Sequence, residues 1–284
     1  MSLRFRYRKL GFDATLRIDS ADLEELARDL QSSALVEISP CSQDIEADLV
    51  WQHLSADSWR VLLKGQHWGA FPTREDLYLQ SDSLLDDLIR ERLPKTSLLH
   101  AGGVVDPQGR GVVICGTSGS GKTSFVLSCI LRGWNWLSDE LLCFRQADPC
   151  IAEGFRRNFN LKERSFGFFP QTSSLPGIRE FAVNDNRKRI RFVKPDELSG
   201  GAFAHSGTIH AIVVPEYTSD DIRAIATPLT GPELVQRLAP ELRSGWTESL
   251  AWLAAIGRSV PAFVLQYHAI ADGMDCLEHV VETL

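Results

Sequence analysis

The spacing of apolar residues changes its rhythm along the chain. Arg4–Leu10 and Ala14–Asp19 alternate apolar and polar residues as half-buried strands do. Leu23, Leu26, Ala27 and Leu30 then recur at helical spacing, and Ser20 is a suitable N-cap for a helix over 21–31. Residues 47–55 and 58–65 read as a hairpin. Residues 81–93 read as a helix closed by Pro94. These elements form a small α+β unit, and the domain boundary is expected near Lys95, giving domains over 1–95 and 96–284.

Beyond Thr96 the apolar runs lengthen. Residues 97–106 and 109–116 predict two strands joined by the turn Asp106–Arg110, so that the strand carrying His100 pairs with Gly111–Cys115. Phe125/Cys129, Val126/Ile130 and Leu127/Leu131 repeat at helical spacing, and Gly133 caps that helix. Residues 134–144 predict a single strand. Strands are also expected over 187–194, 208–217 and 259–269, with helices over 231–242 and 270–284. The expected fold class is therefore α/β with a small N-terminal α+β domain.

Between the second strand and the first helix of this region lies Gly116-Thr117-Ser118-Gly119-Ser120-Gly121-Lys122-Thr123, followed by Ser124. It fits the pattern G-x-x-x-x-G-K-[ST] of a phosphate-binding loop. Its glycines let successive N–H groups turn inward, and the helix adds its positive end. Lys122 is expected to reach the β- and γ-phosphates of ATP and to be exposed in the empty site. Thr123 would offer its hydroxyl to Mg²⁺.

Asp139 and Glu140 follow on the next predicted strand. Adjacent strand residues point to opposite faces, so the two carboxylates diverge unless the strand ends or bends there. Divergence suits one acid on a metal and one near an attacking hydroxyl. A pair of solvated acids at a strand end is the plainer alternative. His100, after two leucines, is by itself an ordinary core or edge residue.

The order of these residues resembles the core of the HPr serine kinase/phosphorylases, and more closely the HPr-kinase-related proteins. Those cores carry a His on a strand, a hairpin, the phosphate loop, a helix ending in Arg-Gly (here Arg132-Gly133) and a pair of acids. The resemblance runs from about Leu98 to the C-terminus and is strongest up to Glu140. It implies the P-loop core shared with phosphoenolpyruvate carboxykinases, ATP with Mg²⁺, and phosphorylation of a serine hydroxyl in a peptide or protein. It also implies Asp139 as the base, Thr123 and Glu140 on the metal, and His100 beside the γ-phosphate in contact with Asp139. The second acid is Glu140 where the family usually has aspartate. The motif for dephosphorylation is not found, so phosphorylase activity is not expected. Related kinases act on ribosomal peptides of the lasso type, which makes a peptide acceptor the favoured class, and they are often oligomers. The alternatives are a small-molecule hydroxyl kinase and a nucleotide-dependent sensor without catalysis.

Charge and cysteine content change little. The chain has 284 residues and a net charge of −7, which argues against a general nucleic-acid binder. Lys162, Arg187, Arg189 and Arg191 form a local basic cluster downstream. A row of arginines could clamp ATP phosphates or an acidic acceptor, or could simply guard an edge strand. The six cysteines show neither paired nor zinc-like spacing, and Cys115 and Cys129 read as core thiols. No signal-peptide core and no membrane-length apolar run is present, so a cytoplasmic chain without a membrane partner is expected.

Overall fold

Two compact units emerge from the contacts of the chain in a computed structural model: Met1–Leu93 with Lys162–Pro195, and Pro94–Leu161 with Asp196–Leu284. Residues 2–55, 58–94, 96–145, 148–175, 179–183, 188–198, 200–244 and 246–284 are described. The chain is mixed α/β with several sheets.

The first unit begins with β1 (Ser2–Lys9) and β2 (Phe12–Ile18), continues through α1 (Glu24–Asp29), β3 (Leu35–Cys41), β4 (Leu49–Ser55), β5 (Ser58–Leu63) and β6 (Gln66–Phe71), and reaches α2 (Arg74–Arg92). The strands form one sheet in the order β3-β1-β2-β4-β5-β6. Alternation in β1 puts Phe5 and Tyr7 in the core and aims Lys9 inward with them, where its ammonium is paired with Asp86 of α2. Ser20 does not cap as expected. It precedes a 3₁₀ turn, its hydroxyl bonds Asp22, and α1 starts only at Glu24. α2 starts earlier than periodicity suggested because the Thr73 hydroxyl accepts the Asp76 N–H at 3.1 Å.

The second unit opens with β7 (Thr96–Leu99), β8 (Ala101–Val105), β9 (Gly111–Cys115), α3 (Lys122–Leu131), β10 (Asn135–Ser138), β11 (Leu142–Arg145) and β12 (Ile151–Gly154), and β13 (Phe159–Lys162) follows. The chain then returns to the first unit for the hairpin of β14 (Arg179–Val183) and β15 (Lys188–Val193). The sequence placed this segment in the second domain. It belongs to the first because Phe192 packs edge-on against Tyr78 of α2 and Lys194 pairs with Asp29. The second unit ends with β16 (Ser206–Tyr217), β17 (Ile225–Leu229), α4 (Gly231–Leu238), α5 (Trp246–Ser259), β18 (Ala262–Tyr267) and α6 (Ile270–Glu282). Helix α5 gave no sequence signal that was read. No helix among the described residues is long and apolar enough to cross a membrane.

The sheet of this unit changes course at two strand breaks. The expected single strand over 97–106 is two strands. β7 pairs with β11, whereas β8 pairs with β9 and β10. The expected single strand over 134–144 likewise divides into β10 and β11. The long β16 joins the parts, meeting β12 antiparallel at its start and β9 and β18 in parallel further on. His100 lies at the first break and Asp139–Leu141 at the second. Trp134, Trp136 and Trp252 are buried in this unit.

Candidate functional site

β9 is buried along its whole length and delivers the chain into the glycine-rich loop. Gly116 has φ +151°, and a Cβ there would sit 2.8 Å from the Ser120 hydroxyl. Gly121 has φ +105°, and a Cβ there would sit 2.4 Å from the Tyr267 hydroxyl. Only glycine satisfies both the backbone and the space at these positions. α3 begins at Lys122 without a side-chain cap, so its positive end faces the loop. Phe125, Val126, Leu127, Cys129 and Ile130 are fully buried and fix the helix against the sheet. Lys122 departs from expectation. It is only 7% exposed, and its ammonium donates to the carbonyls of Gly116 at 2.5 Å and Thr117 at 3.3 Å. A loop that curls its N–H groups inward turns some carbonyls toward the lysine, and these hold it.

The acid pair owes its position to Ser138. Its hydroxyl accepts the N–H groups of Glu140 at 3.2 Å and Leu141 at 3.0 Å, which ends β10 in a tight turn. Asp139 turns inward and is 2% exposed. Its Oδ2 lies 3.4 Å from the Thr123 hydroxyl, and its Oδ1 is buried without a hydrogen-bond partner among the described residues. Burial pushes the Asp139 carboxyl up to about 7, with Arg157 opposing and Glu140 adding to the rise. The Glu140 side chain stays 46% exposed, with Oε1 3.3 Å from His100 Nε2. Desolvation works against its charge, but the His100 hydrogen bond and the charges of Arg157, His100 and Lys122 outweigh it and hold the carboxyl at about 2.

His100 therefore meets Glu140, not Asp139 as the resemblance implied. Because β7 ends before it, its ring is free of either ladder and is held from another element. Its N–H donates to the Glu241 carbonyl at 2.7 Å, and Nδ1 lies 2.8 Å from Glu241 Oε2 and 3.0 Å from an Arg243 nitrogen. Glu241 and Arg243 follow α4, and sequence reading missed both, as it missed the buried Arg157. The only local signal was the Ala-Pro-Glu stop after α4, which marks a helix end and no role.

The loop, Thr123, Asp139, Glu140 and His100 come together in the second unit. Lys162, Arg189 and Arg191 belong to the first. Arg189 and Arg191 both pair with Glu180, Arg191 also donates to the Thr172 hydroxyl at 2.7 Å, and its guanidinium lies 4.0 Å from the centre of the Phe166 ring. These two arginines are tied into their own unit. Arg187 lies outside the described residues.

The donors near the loop suit Mg²⁺. Asp139 has one orphaned buried oxygen, Oδ1, while its Oδ2 lies beside the Thr123 hydroxyl, and carboxylate and hydroxyl are both hard oxygen ligands. No cluster of three or more His, Cys, Asp or Glu side chains able to hold a metal occurs among the described residues.

No family model and no curated protein matches the chain. Among solved structures it is similar to the Hpr(Ser) kinase/phosphatase from Coxiella burnetii, at 13% sequence identity and a TM-score of 0.34, over 66% of this chain and 92% of that one. The likeness is distant.

Proposed function

We propose that the chain is an ATP-dependent P-loop kinase that transfers the γ-phosphate to a serine or other hydroxyl of a peptide or protein. The observation that carries this reading is the division of the acid pair. Asp139 faces Thr123 at the start of α3, and Glu140 faces His100. This division supports one carboxylate serving a metal and the other an acceptor. Two acids whose surroundings push their pKa values apart are the usual sign of divided roles.

On this reading the two acids exchange the roles that the resemblance implied. Thr123 and Asp139, not Thr123 and Glu140, would hold Mg²⁺. When bound there, Mg²⁺ would neutralise charge on the β- and γ-phosphates. Gly116–Thr123 would hold the phosphates through backbone N–H groups, with Lys122 transferred from its carbonyls to phosphate oxygens. The acceptor oxygen attacks the γ-phosphorus, the bond to the β–γ bridging oxygen breaks, and ADP leaves. The acceptor proton passes to Glu140, the more accessible carboxylate, which stays ionised at neutral pH and is oriented by His100. The charge of Arg157 favours the ionised form of both acids.

The test is incubation with Mg²⁺-ATP and candidate peptides, including ribosomal precursor peptides, read by mass spectrometry. Gain of one phosphate on a hydroxyl residue, lost in Glu140→Gln and Lys122→Ala, supports the reading. Nucleotide binding without transfer to any acceptor would favour the non-catalytic sensor.

A further inference from the structure

β9, β16 and β18 run in parallel, so their carboxyl ends lie along one edge of the sheet. Ligands of open α/β sheets sit at such edges. Ile114 is level with Val213, so β16 continues past the end of β9 and carries Tyr217 alongside the loop. Tyr217 is level with Tyr267 at the end of β18. The Tyr267 hydroxyl donates to the Ser120 carbonyl at 3.4 Å and lies against Gly121, so this ring is part of the wall of the loop. Tyr217 stands next to it, edge-on, with ring centres 5.9 Å apart. The His268 ring lies nearly parallel to Tyr217, at 25° and 6.1 Å, and its Nδ1 is 3.1 Å from the Thr218 carbonyl. Despite both neighbours, Tyr217 remains 58% exposed. A large aromatic ring, held against a ring that walls the loop and itself left open, is shaped to bind a flat apolar face.

We propose that Tyr217 is the platform on which the nucleobase of the bound nucleotide stacks. The assignment rests on the nucleotide reading of the loop. The phosphates would occupy Gly116–Thr123, and the base would extend along the sheet edge across Tyr267 onto Tyr217. Asp139 and Glu140 lie on the other flank of the loop, beyond β8, which leaves the acceptor and the base on opposite sides.

Calorimetric titration with Mg²⁺-ATP and with Mg²⁺-tripolyphosphate, which has no base, tests this in the full chain. Tyr217 is exposed, so Tyr217→Ala should fold. It is expected to weaken ATP about ten-fold, as loss of one aromatic stacking partner does, and to leave tripolyphosphate affinity unchanged. Tyr217→Phe should retain the parent affinity for both. Unchanged ATP affinity in Tyr217→Ala, or equal losses for the two ligands, would overturn the platform while leaving the loop assignment intact. If the parent chain fails to bind tripolyphosphate, or Lys122→Ala binds it equally well, the loop assignment falls and the platform falls with it.

Discussion

Glu241 holds His100 at two points, with its backbone carbonyl on the histidine N–H at 2.7 Å and its carboxylate on Nδ1 at 2.8 Å. The ring has no strand of its own to fix it, so this grip sets how Nε2 meets Glu140. Replacing Glu241 by Gln is expected to lower kcat roughly ten- to a hundred-fold, as loss of an orienting partner does, with nucleotide affinity unchanged. His100→Ala should lose at least as much. The double variant should be no worse than His100→Ala, because both changes act through one contact. Additive losses in steady-state kinetics would contradict this chain of contacts.

The two acids should separate in their response to magnesium. Asp139→Asn is expected to raise the Mg²⁺ concentration needed for half-maximal nucleotide binding. Glu140→Gln should leave that requirement unchanged and lower kcat by about a hundred-fold or more. A Mg²⁺ titration of both variants decides between this arrangement and the reverse one.

Asp139 also makes a prediction about stability. Its carboxyl is raised from an ordinary value of 3.8 to about 7 by burial. The folded chain therefore holds a proton that the unfolded chain has released, and the resulting stability is fully present below pH ~4 and lost as pH rises through about 7. In chelator, thermal melts should show the parent weakening across this window. Asp139→Asn should lack that decline and be more stable at pH 8, by on the order of 1–4 kcal/mol. Glu140 acts oppositely. Its carboxyl is held at about 2, so its contribution is present above pH ~4.5 and fades as pH falls toward 2.

Arg191 is buried and bonded to Glu180 and Thr172 within the first unit. Arg191→Ala is expected to destabilise the chain by about 1–3 kcal/mol, since it removes the buried bonds of the guanidinium to Glu180 and Thr172. ATP affinity, measured below the new melting point, should not change. A selective loss of ATP binding with normal stability would restore the phosphate-clamp role first considered for this row.

The glycine-rich loop was legible because its chemistry is local: a strand, a fixed spacing of glycines, and a lysine at the head of an apolar helix. The adjacency of Asp139 and Glu140 was equally plain. What could not be read was where the strands break. His100 lies between apolar residues, and Ser138–Glu140 is a short polar step inside an apolar run, where the Ser138 hydroxyl captures two N–H groups as the chain turns. Periodicity carries no record of such a bond. Glu241 lies 141 positions from His100, so its role depends on tertiary packing alone. The arginine row alternated as expected, but its partner Glu180 lay on a strand that the sequence had not disclosed.

Lys122 was expected to extend into solvent, and its fold onto the Gly116 and Thr117 carbonyls has a consequence for how the loop fills. The loop carries its own cation. A phosphate entering it would not recruit a free ammonium from water but would take one over from two carbonyls, so binding would be an exchange of partners with little reorganisation of the backbone. The lysine is in this sense a template for the guest that replaces it. Lys122→Ala should then loosen the vacant loop as well as weaken phosphate binding, visible as faster amide exchange across Gly116–Gly121 before any ligand is added.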